Sequence, residues 1–260
     1  MNPPDNLFDL SGKVALINGG SRGIGAAIAK GFASYGAHVI VSSRHAESCA
    51  AVADGIVAEG FSAEGMACHG GNLDDIDKLF GNIREQHGKL DVLLNNAATN
   101  PYYGHILDTE PAAFDKTVEV NLRGYFYMSV AAAKLMKENG GGSIINTASV
   151  NAIQPGNFQG IYSITKAAVV NMTKSFAQEC GEFGIRCNAL LPGLTETQLA
   201  SGLIDDADIL QGVTRKTALG RHAQPEEMVG AALLLASDAG SYITGESIVV
   251  DGGLTTASAL

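Results

Sequence analysis

Residues 13–25 read KVALINGGSRGIG, and this stretch decides the fold. KVALIN (13–18) is an apolar run of strand length. GGSRGIG follows at once and opens an amphipathic stretch that continues through Tyr35. A strand, a glycine turn and a helix in that order form the context in which glycines receive a phosphate. Gly19 permits the tight turn. Gly23 and Gly25 let backbone and helix approach a pyrophosphate, which the positive end of the helix attracts. The spacing is GxxxGxG rather than GxGxxG, so the mechanism of the motif applies rather than its letter.

The same alternation continues along the chain. HVIVSS (38–43) reads as a second strand, followed by an Ala-rich helix to about Glu59. SAEGMACH (62–69) is a weaker third strand. Asn72 heads the next helix, with Asp74 and Asp75 at its positive end. KLDVLLNNA gives a fourth strand ending near Asn95. One long helix is expected from Pro111, a first-turn proline, to Lys137, stopped by Gly140–Gly142. SIINTAS is the fifth strand, and a helix from about Gly160 carries YSITKAAVVNMTKSFAQEC. Residues 184–192 form a sixth strand, Pro225 opens another helix, and SIVVDGG is the last strand. Strands alternating with helices imply βαβ units, a parallel sheet and right-handed crossovers that put helices on both faces. The expected fold is therefore α/β, a Rossmann-type doubly wound parallel sheet of about seven strands. No linker or repeat divides residues 1–260, so a single domain is expected. The irregular segment 195–222 is the expected lid over the substrate.

Composition narrows the function. The chain has 260 residues, a formal charge of −10 and no cluster of Lys and Arg. Nucleic acid and anionic membranes are poor partners for such a surface. No run approaches a membrane span. The start, MNPPDNLFDL, has neither a basic segment nor an apolar run. Ser258-Ala259-Leu260 resembles a peroxisomal address without its basic middle residue. Cys49, Cys68, Cys180 and Cys187 lack CxxC spacing and are expected as free thiols in a reducing compartment. A cytoplasmic protein is the expectation. The six histidines are scattered, and no metal site is expected.

The residues after the second strand bear on the cofactor. An acid about 20 residues beyond the glycines would grip a ribose 2′-hydroxyl. Here the strand ends Ser42-Ser43-Arg44, the first acid is Glu47, and Arg22 lies inside the glycine turn. Two guanidiniums and no carboxylate suit a 2′-phosphate, which the planar fork of Arg binds well. NADP(H) is the expected cofactor.

Chemistry enters with YSITK. Tyr162 and Lys166 are four residues apart, one helical turn, so phenol and ammonium share a face. A nearby cation favours the phenolate and is expected to lower the tyrosine pKa. Alone, the spacing is close to what chance supplies. Ser149 lies thirteen residues upstream in TASV.

Taken together these residues resemble the short-chain dehydrogenase/reductase family. NGGSRGIG (18–25) is similar to its TGxxxGIG turn, and Asn95-Asn96-Ala97-Ala98 to its NNAG. Asn121 in VNLRG matches the helix asparagine. Ser149, Tyr162 and Lys166 match the catalytic serine and YxxxK. Pro192-Gly193 with Thr197 matches PGxxxT. The likeness covers nearly the whole chain in order. It departs at Asn18 for Thr, at the extra Gly20, at Ala98 for Gly, and at Asn72 where an acid often contacts adenine.

The resemblance implies catalysis by Asn121, Ser149, Tyr162 and Lys166. In reduction Tyr162 is the general acid, Ser149 steadies the carbonyl oxygen, Lys166 holds the nicotinamide ribose and lowers the Tyr162 pKa, and Asn121 positions a water. It implies cofactor contacts from Gly19, Ser21, Arg22, Gly23, Ile24, Gly25, Ser43, Arg44, Asn72, Leu73, Asn95, Ala97, Tyr162, Lys166, Pro192, Gly193, Thr195 and Thr197. A substrate pocket is expected from Tyr102, Asn151, Phe158, Leu194 and Leu199, with Tyr103 and Pro155 nearby. That mix suits a partly apolar carbonyl compound with some polar groups, expected to be a ketone, diketone or keto sugar interconverted with its alcohol. TNPYYG resembles the family's carbonyl reductase and sugar-alcohol dehydrogenase branches.

Two other functions stay open. A 3-oxoacyl-[acyl-carrier-protein] reductase would dock its acidic carrier on basic residues, whose aligned positions here are Tyr127 and Gln178; like-charge repulsion also opposes docking. A non-catalytic NADP-binding sensor would not need the Ser149–Tyr162–Lys166–Asn121 set. The family likeness further implies a homo-oligomer, tetramer favoured and dimer possible, built through the Asn121 and Tyr162 helices.

Overall fold

The strand read from KVALIN is Val14–Asn18 (β1), and all five of its residues are buried. The computed structural model describes residues 6–256; the terminal Ser258-Ala259-Leu260 signal lies outside them. β1 pairs in parallel with His38–Ser43 (β2) on one side and Val92–Asn95 (β4) on the other. Ser62–Ala67 (β3) closes one edge. Gly142–Thr147 (β5), Ile185–Pro192 (β6) and Ser247–Val250 (β7) extend the other. The order is β3-β2-β1-β4-β5-β6-β7.

Alternation along β1 explains the two faces. Leu16 points into one core with Ile40, Leu93 and Ile144. Ala15 and Ile17 point into the other with Val39, Val41 and Leu94. A strand covered on both sides reads as a continuous apolar run, which is why KVALIN shows no polar alternation. The first core is filled by Leu73–His87 (α3), Gly124–Glu138 (α5) and Gly160–Cys180 (α6). The second is filled by Gly23–Ser34 (α1), Ala46–Ala58 (α2) and Val229–Ala236 (α9). β3 pairs with β2 only, and five of its six side chains stay at least partly exposed. The missing outer neighbour accounts for its weak hydrophobic signal.

Two local outcomes differ from the sequence expectation, and a third, the irregular stretch 195–222 with short helical pieces, agrees with it. The expected helix 111–137 is interrupted. It runs as Pro111–Val118 (α4), then a π turn over Glu119–Arg123, then α5. Such turns concentrate at functional sites, and this one carries Asn121. Gly142 belongs to β5 rather than to the helix stop. Between Thr195 and His222 the chain forms two short helices, Ser201–Ile204 (α7) and Ala207–Thr214 (α8), and one isolated bridge, Thr195 to Ala223. Asp206 caps α8 by accepting from the Asp208 and Ile209 amides.

Strand order reverses between β1 and β4, because β2 lies on one side of β1 and β4 on the other. In open α/β sheets the crevice beyond the strand C-termini at that point receives ligands. The glycine turn, Ala97, Ser149 and Gly193 follow strand ends there, and Pro192 ends β6.

Candidate active site

A cleft of about 1050 Å³ opens at this switch point. Its floor is the glycine turn. Gly19 has φ +84°, and a Cβ there would lie 2.4 Å from the Ala97 amide nitrogen. At Gly25 a Cβ would lie 2.1 Å from the Gly19 carbonyl oxygen. The tight turn therefore excludes side chains at both positions. Arg22 is the N-cap residue of α1, no side chain caps the helix, and its first turn holds no acid. The free N–H groups at that end face the cleft and suit an anion. Arg22 donates to Gln198 across the turn. Arg44 also lines the cleft, with Ser43, and no carboxylate does.

Ser149 follows β5, and Tyr162 and Lys166 stand one turn apart on α6; all three line the same cleft. The Lys166 ammonium is 1% exposed and donates to the Thr147 carbonyl at 2.7 Å. Its nitrogen lies 5.6 Å from the centroid of the Tyr162 ring and 5.1 Å from that of buried Tyr125. Burial pulls Lys166 from 10.5 down to about 7. The expected lowering of the Tyr162 pKa is not what the structure gives. Burial pushes the phenol up to about 12, with the Ser149 hydroxyl offsetting part of the rise. Desolvation penalises the charged form of each group.

Several buried polar atoms in the cleft wall have no partner: Asn18 Oδ1, Asn100 Oδ1 and Thr147 Oγ1. Such atoms are costly to leave unsatisfied. They, the uncapped helix end and the two arginines fit a nucleotide with phosphates and a ribose.

Of the expected cofactor contacts, Gly19, Ser21, Arg22, Gly23, Ile24, Ser43, Arg44, Ala97, Pro192, Gly193, Thr195 and Thr197 line the cleft. Gly25 sits behind the turn, where its role is packing against Gly19. Asn72 and Leu73 are exposed outside the lining. The Asn72 carboxamide is spent capping α3, accepting from Asp74 and Asp75 at 2.9 and 3.3 Å. Asn95 is also outside. It is buried under the sheet and donates to Ser129 and Asn146. Asn121 does not reach the cleft surface. Its amide is paired with the Thr99 backbone, accepting from N at 2.8 Å and donating to O at 2.9 Å.

Among the expected pocket residues Asn151, Phe158, Leu194 and Leu199 line the cleft. Tyr102 does not, because its hydroxyl turns away to the His105 carbonyl. Tyr103 takes its place, 6.0 Å from Phe158 between ring centroids. Phe158 has φ +61°, the one non-glycine residue described with a positive φ. That strained conformation at a cleft wall is a feature of functional loops. Gln154, in the turn 151–159, and Lys216, in the expected lid, also line the cleft; sequence reasoning missed Leu254 and Thr255, which line it too. They lie on connections with no motif spacing.

The expectation that no histidines cluster also changes. Away from the cleft, at the start of β2, His38 and His87 both place Nε2 against Glu64 Oε1, at 3.1 and 2.5 Å. Their rings stack at 4.8 Å. They come from β2 and α3, 49 positions apart in sequence, so no spacing could show it. His38 Nδ1 is paired with Ser62. Ring protons and hydroxyl satisfy this group as a hydrogen-bonded cluster.

Residues 19–255 match a family model described as Enoyl-(Acyl carrier protein) reductase. The chain is 37% identical to Dehydrogenase/reductase SDR family member 4 of Oryctolagus cuniculus, over 94% of each protein. It is 37% identical to the L-rhamnose 1-dehydrogenase (NAD(P)(+)) of Azotobacter vinelandii, over 93% of this chain and 96% of the relative. Among solved structures, a gluconate 5-dehydrogenase from Burkholderia cenocepacia in complex with NADP and tartrate superposes with a TM-score of 0.94. It is 34% identical and covers 97% of this chain and 98% of its own. A putative NAD(P) dependent gluconate 5-dehydrogenase from Beutenbergia cavernae with bound NADP gives 0.93 at 33% identity, over 96% of this chain and all of the other. With strand order, glycine turn and the serine, tyrosine and lysine of one cleft in agreement, the chain belongs to the short-chain dehydrogenase/reductase family, as an oxidoreductase acting on alcohol and carbonyl groups.

Proposed function

We propose that the protein is an NADP(H)-dependent reductase of a ketone, diketone or keto sugar, working reversibly on the corresponding alcohol. The observation that carries this reading is the composition of one cleft. Ser149, Tyr162 and Lys166 share one cleft with a glycine turn, Arg22 and Arg44, with no carboxylate on the lining. The NADP named for two structural neighbours supports the cofactor. Arg22 and Arg44 would hold the 2′-phosphate through charge-assisted bonds. The α1 N-terminus and Thr195 would receive the pyrophosphate. Lys166 would hold the nicotinamide ribose.

Bound nicotinamide supplies the hydride, and the protein handles the proton. A phenol with a pKa near 12 is fully protonated at neutral pH, the state a general acid needs. As negative charge develops on the substrate oxygen, Ser149 donates to it and Tyr162 delivers its proton. Oxidation runs the same steps backward, with Tyr162 as base. Asn121 acts as a positioning residue, fixing the Thr99 backbone at the cleft edge. Residues 195–222 serve as the lid, and Phe158, Leu194 and Leu199 with Tyr103 bound the substrate.

Carrier-protein chemistry is the second reading, since the matching family description names it. Tyr127 and Gln178 offer no positive charge to an acidic carrier, which weighs against it. A homo-oligomer is supported by exposed Phe114, Phe126, Tyr127 and Ile164 on α4, α5 and α6. The half-exposed edge strand β7, with Tyr242 nearby fully exposed, offers a second face, and a tetramer uses both. Among the described residues no helix is long and apolar enough to cross a membrane. The four cysteines are free, which supports a reducing, cytoplasmic setting.

The test is a panel of ketones, diketones, keto sugars and 3-oxoacyl thioesters, followed by NADPH absorbance with the purified protein. Turnover confined to the thioesters would replace this reading with the second.

A further inference from the structure

The charge on the cleft wall is one-sided. The chain contains 27 Asp and Glu among 260 residues. None of the fifty residues lining the cleft is acidic, while Arg22, Arg44, Lys116, Lys166 and Lys216 are all basic. By proportion about five acids would be expected there, so an acidic protein holds a cleft of positive potential.

Three of the cations have partners or tasks already. Arg22 donates to Gln198. Lys116 pairs with Glu119 at 2.9 Å. Lys166 is fixed to Thr147. Arg44 stands with Arg22 beside the glycine turn, where a nucleotide phosphate belongs. Lys216 remains. Among the described residues it has no carboxylate within ion-pair distance, and it lines the cleft as an exposed residue of the lid segment.

Its surroundings place it on the substrate side. Lys216 follows the lid helix α8, whose Ile209 and Val213 line the same wall. Immediately after it, the Leu219 amide donates to the Gly252 carbonyl at 3.0 Å, which docks the lid on residues 251–255. That segment is a built turn: Asp251 accepts from the Thr255 amide and hydroxyl, each at 2.8 Å. The Thr255 carbonyl accepts from Gln154, on the loop that begins at Ser149. Contacts therefore link the Ser149 loop through Gln154 and Thr255 to the lid segment that carries Lys216, and Leu254 and Val213 line the same cleft. The cleft so lined offers a hydroxyl at Ser149, a phenol at Tyr162, apolar surface at Leu254 and Val213, and an ammonium at Lys216.

We infer that the substrate carries a carboxylate remote from its reacting carbonyl, and that Lys216 binds it. This rests on the proposed carbonyl reduction for its chemistry, and it adds the substrate class, a keto acid or keto-sugar acid. Lys216 is a specificity residue. It touches no reacting atom, so its effect falls on KM and on the choice among substrates.

The experiment compares levulinate with levulinamide, and ketogluconate with the matching neutral keto sugar, using the full-length enzyme and NADPH. The acids are expected to exceed their neutral partners at least tenfold in kcat/KM. Lys216→Gln should erase that preference through KM, leaving the amide rate and the NADPH dissociation constant unchanged. Lys216→Arg should keep the preference, and added salt should weaken it in the wild type only. A wild type without preference for the acids overturns the inference. So does a Lys216→Gln variant that loses both substrates equally or binds NADPH more weakly, which would assign Lys216 to the cofactor. Binding is read separately from turnover, by quenching of bound NADPH fluorescence. Lys216-dependent binding of the acids without turnover would keep the inference and sink the carbonyl reductase reading; equal binding of acid and amide would sink the inference.

Discussion

The two ends of the cleft are built differently. The nucleotide end is made of strand termini and a helix start, packed so tightly that a Cβ at Gly19 or Gly25 would strike backbone. The substrate end is made of connections: Phe158 at positive φ, the short helices α7 and α8, and the turn after β7. One end is shaped by backbone and the other by side chains on loops. Backbone geometry constrains residue type narrowly, whereas a loop wall accepts many residues. The first end therefore defines a cofactor class, and the second must be read by its charge and surface.

If that division holds, damage at the two ends differs in kind. The largest loss is expected at their junction. Tyr162→Phe should lower kcat by about 10³-fold, since a positioned general acid contributes on that order. NADPH binding, followed by fluorescence, should be unchanged. A residual rate within tenfold of wild type would remove Tyr162 from proton transfer.

Next in size is the phosphate clamp. Replacing Arg22 and Arg44 together with Ala should weaken NADPH binding about 100-fold, from the loss of two charge-assisted hydrogen bonds. NADH binding should change little. Equal losses for both cofactors would mean that the arginines serve the pyrophosphate or the turn itself.

The smallest expected effect concerns stability. Lys166 has a folded pKa near 7 against an ordinary 10.5. Between those values the unfolded chain binds more protons, so this group makes stability rise with pH there. Below pH 7 the lysine is charged in both states and its burial cost is constant. Lys166→Met should then abolish turnover yet raise the melting temperature at pH 7 by about 3 °C. It should also flatten the rise between pH 7 and 10. A lower melting temperature would show that the bond to Thr147 outweighs the cost of burial.

What could be read in the sequence follows the same division. KVALINGGSRGIG announced β1, the turn and α1 because periodicity and glycine placement are local signals. The parallel sheet followed from alternation alone. Asn121 was found by family likeness, while the π turn that carries it left no mark, since helix periodicity barely changes across five residues. Asn72 and Asn95 were expected at the cofactor and lie elsewhere, one capping a helix and the other buried between strands. An asparagine has many uses, and only its neighbours decide among them. Tyr102 and Tyr103 are adjacent in sequence, and the turn that sends one outward is set by a hydrogen bond to His105. The direction of the Tyr162 shift was misread because spacing shows the neighbouring cation and not the depth of burial.

The most direct test of the account compares kcat/KM for NADPH and NADH on one ketone that the wild-type enzyme reduces. Arg22, Arg44 and a cleft wall without carboxylates predict that NADPH exceeds NADH at least tenfold. Equal or better turnover with NADH would contradict it.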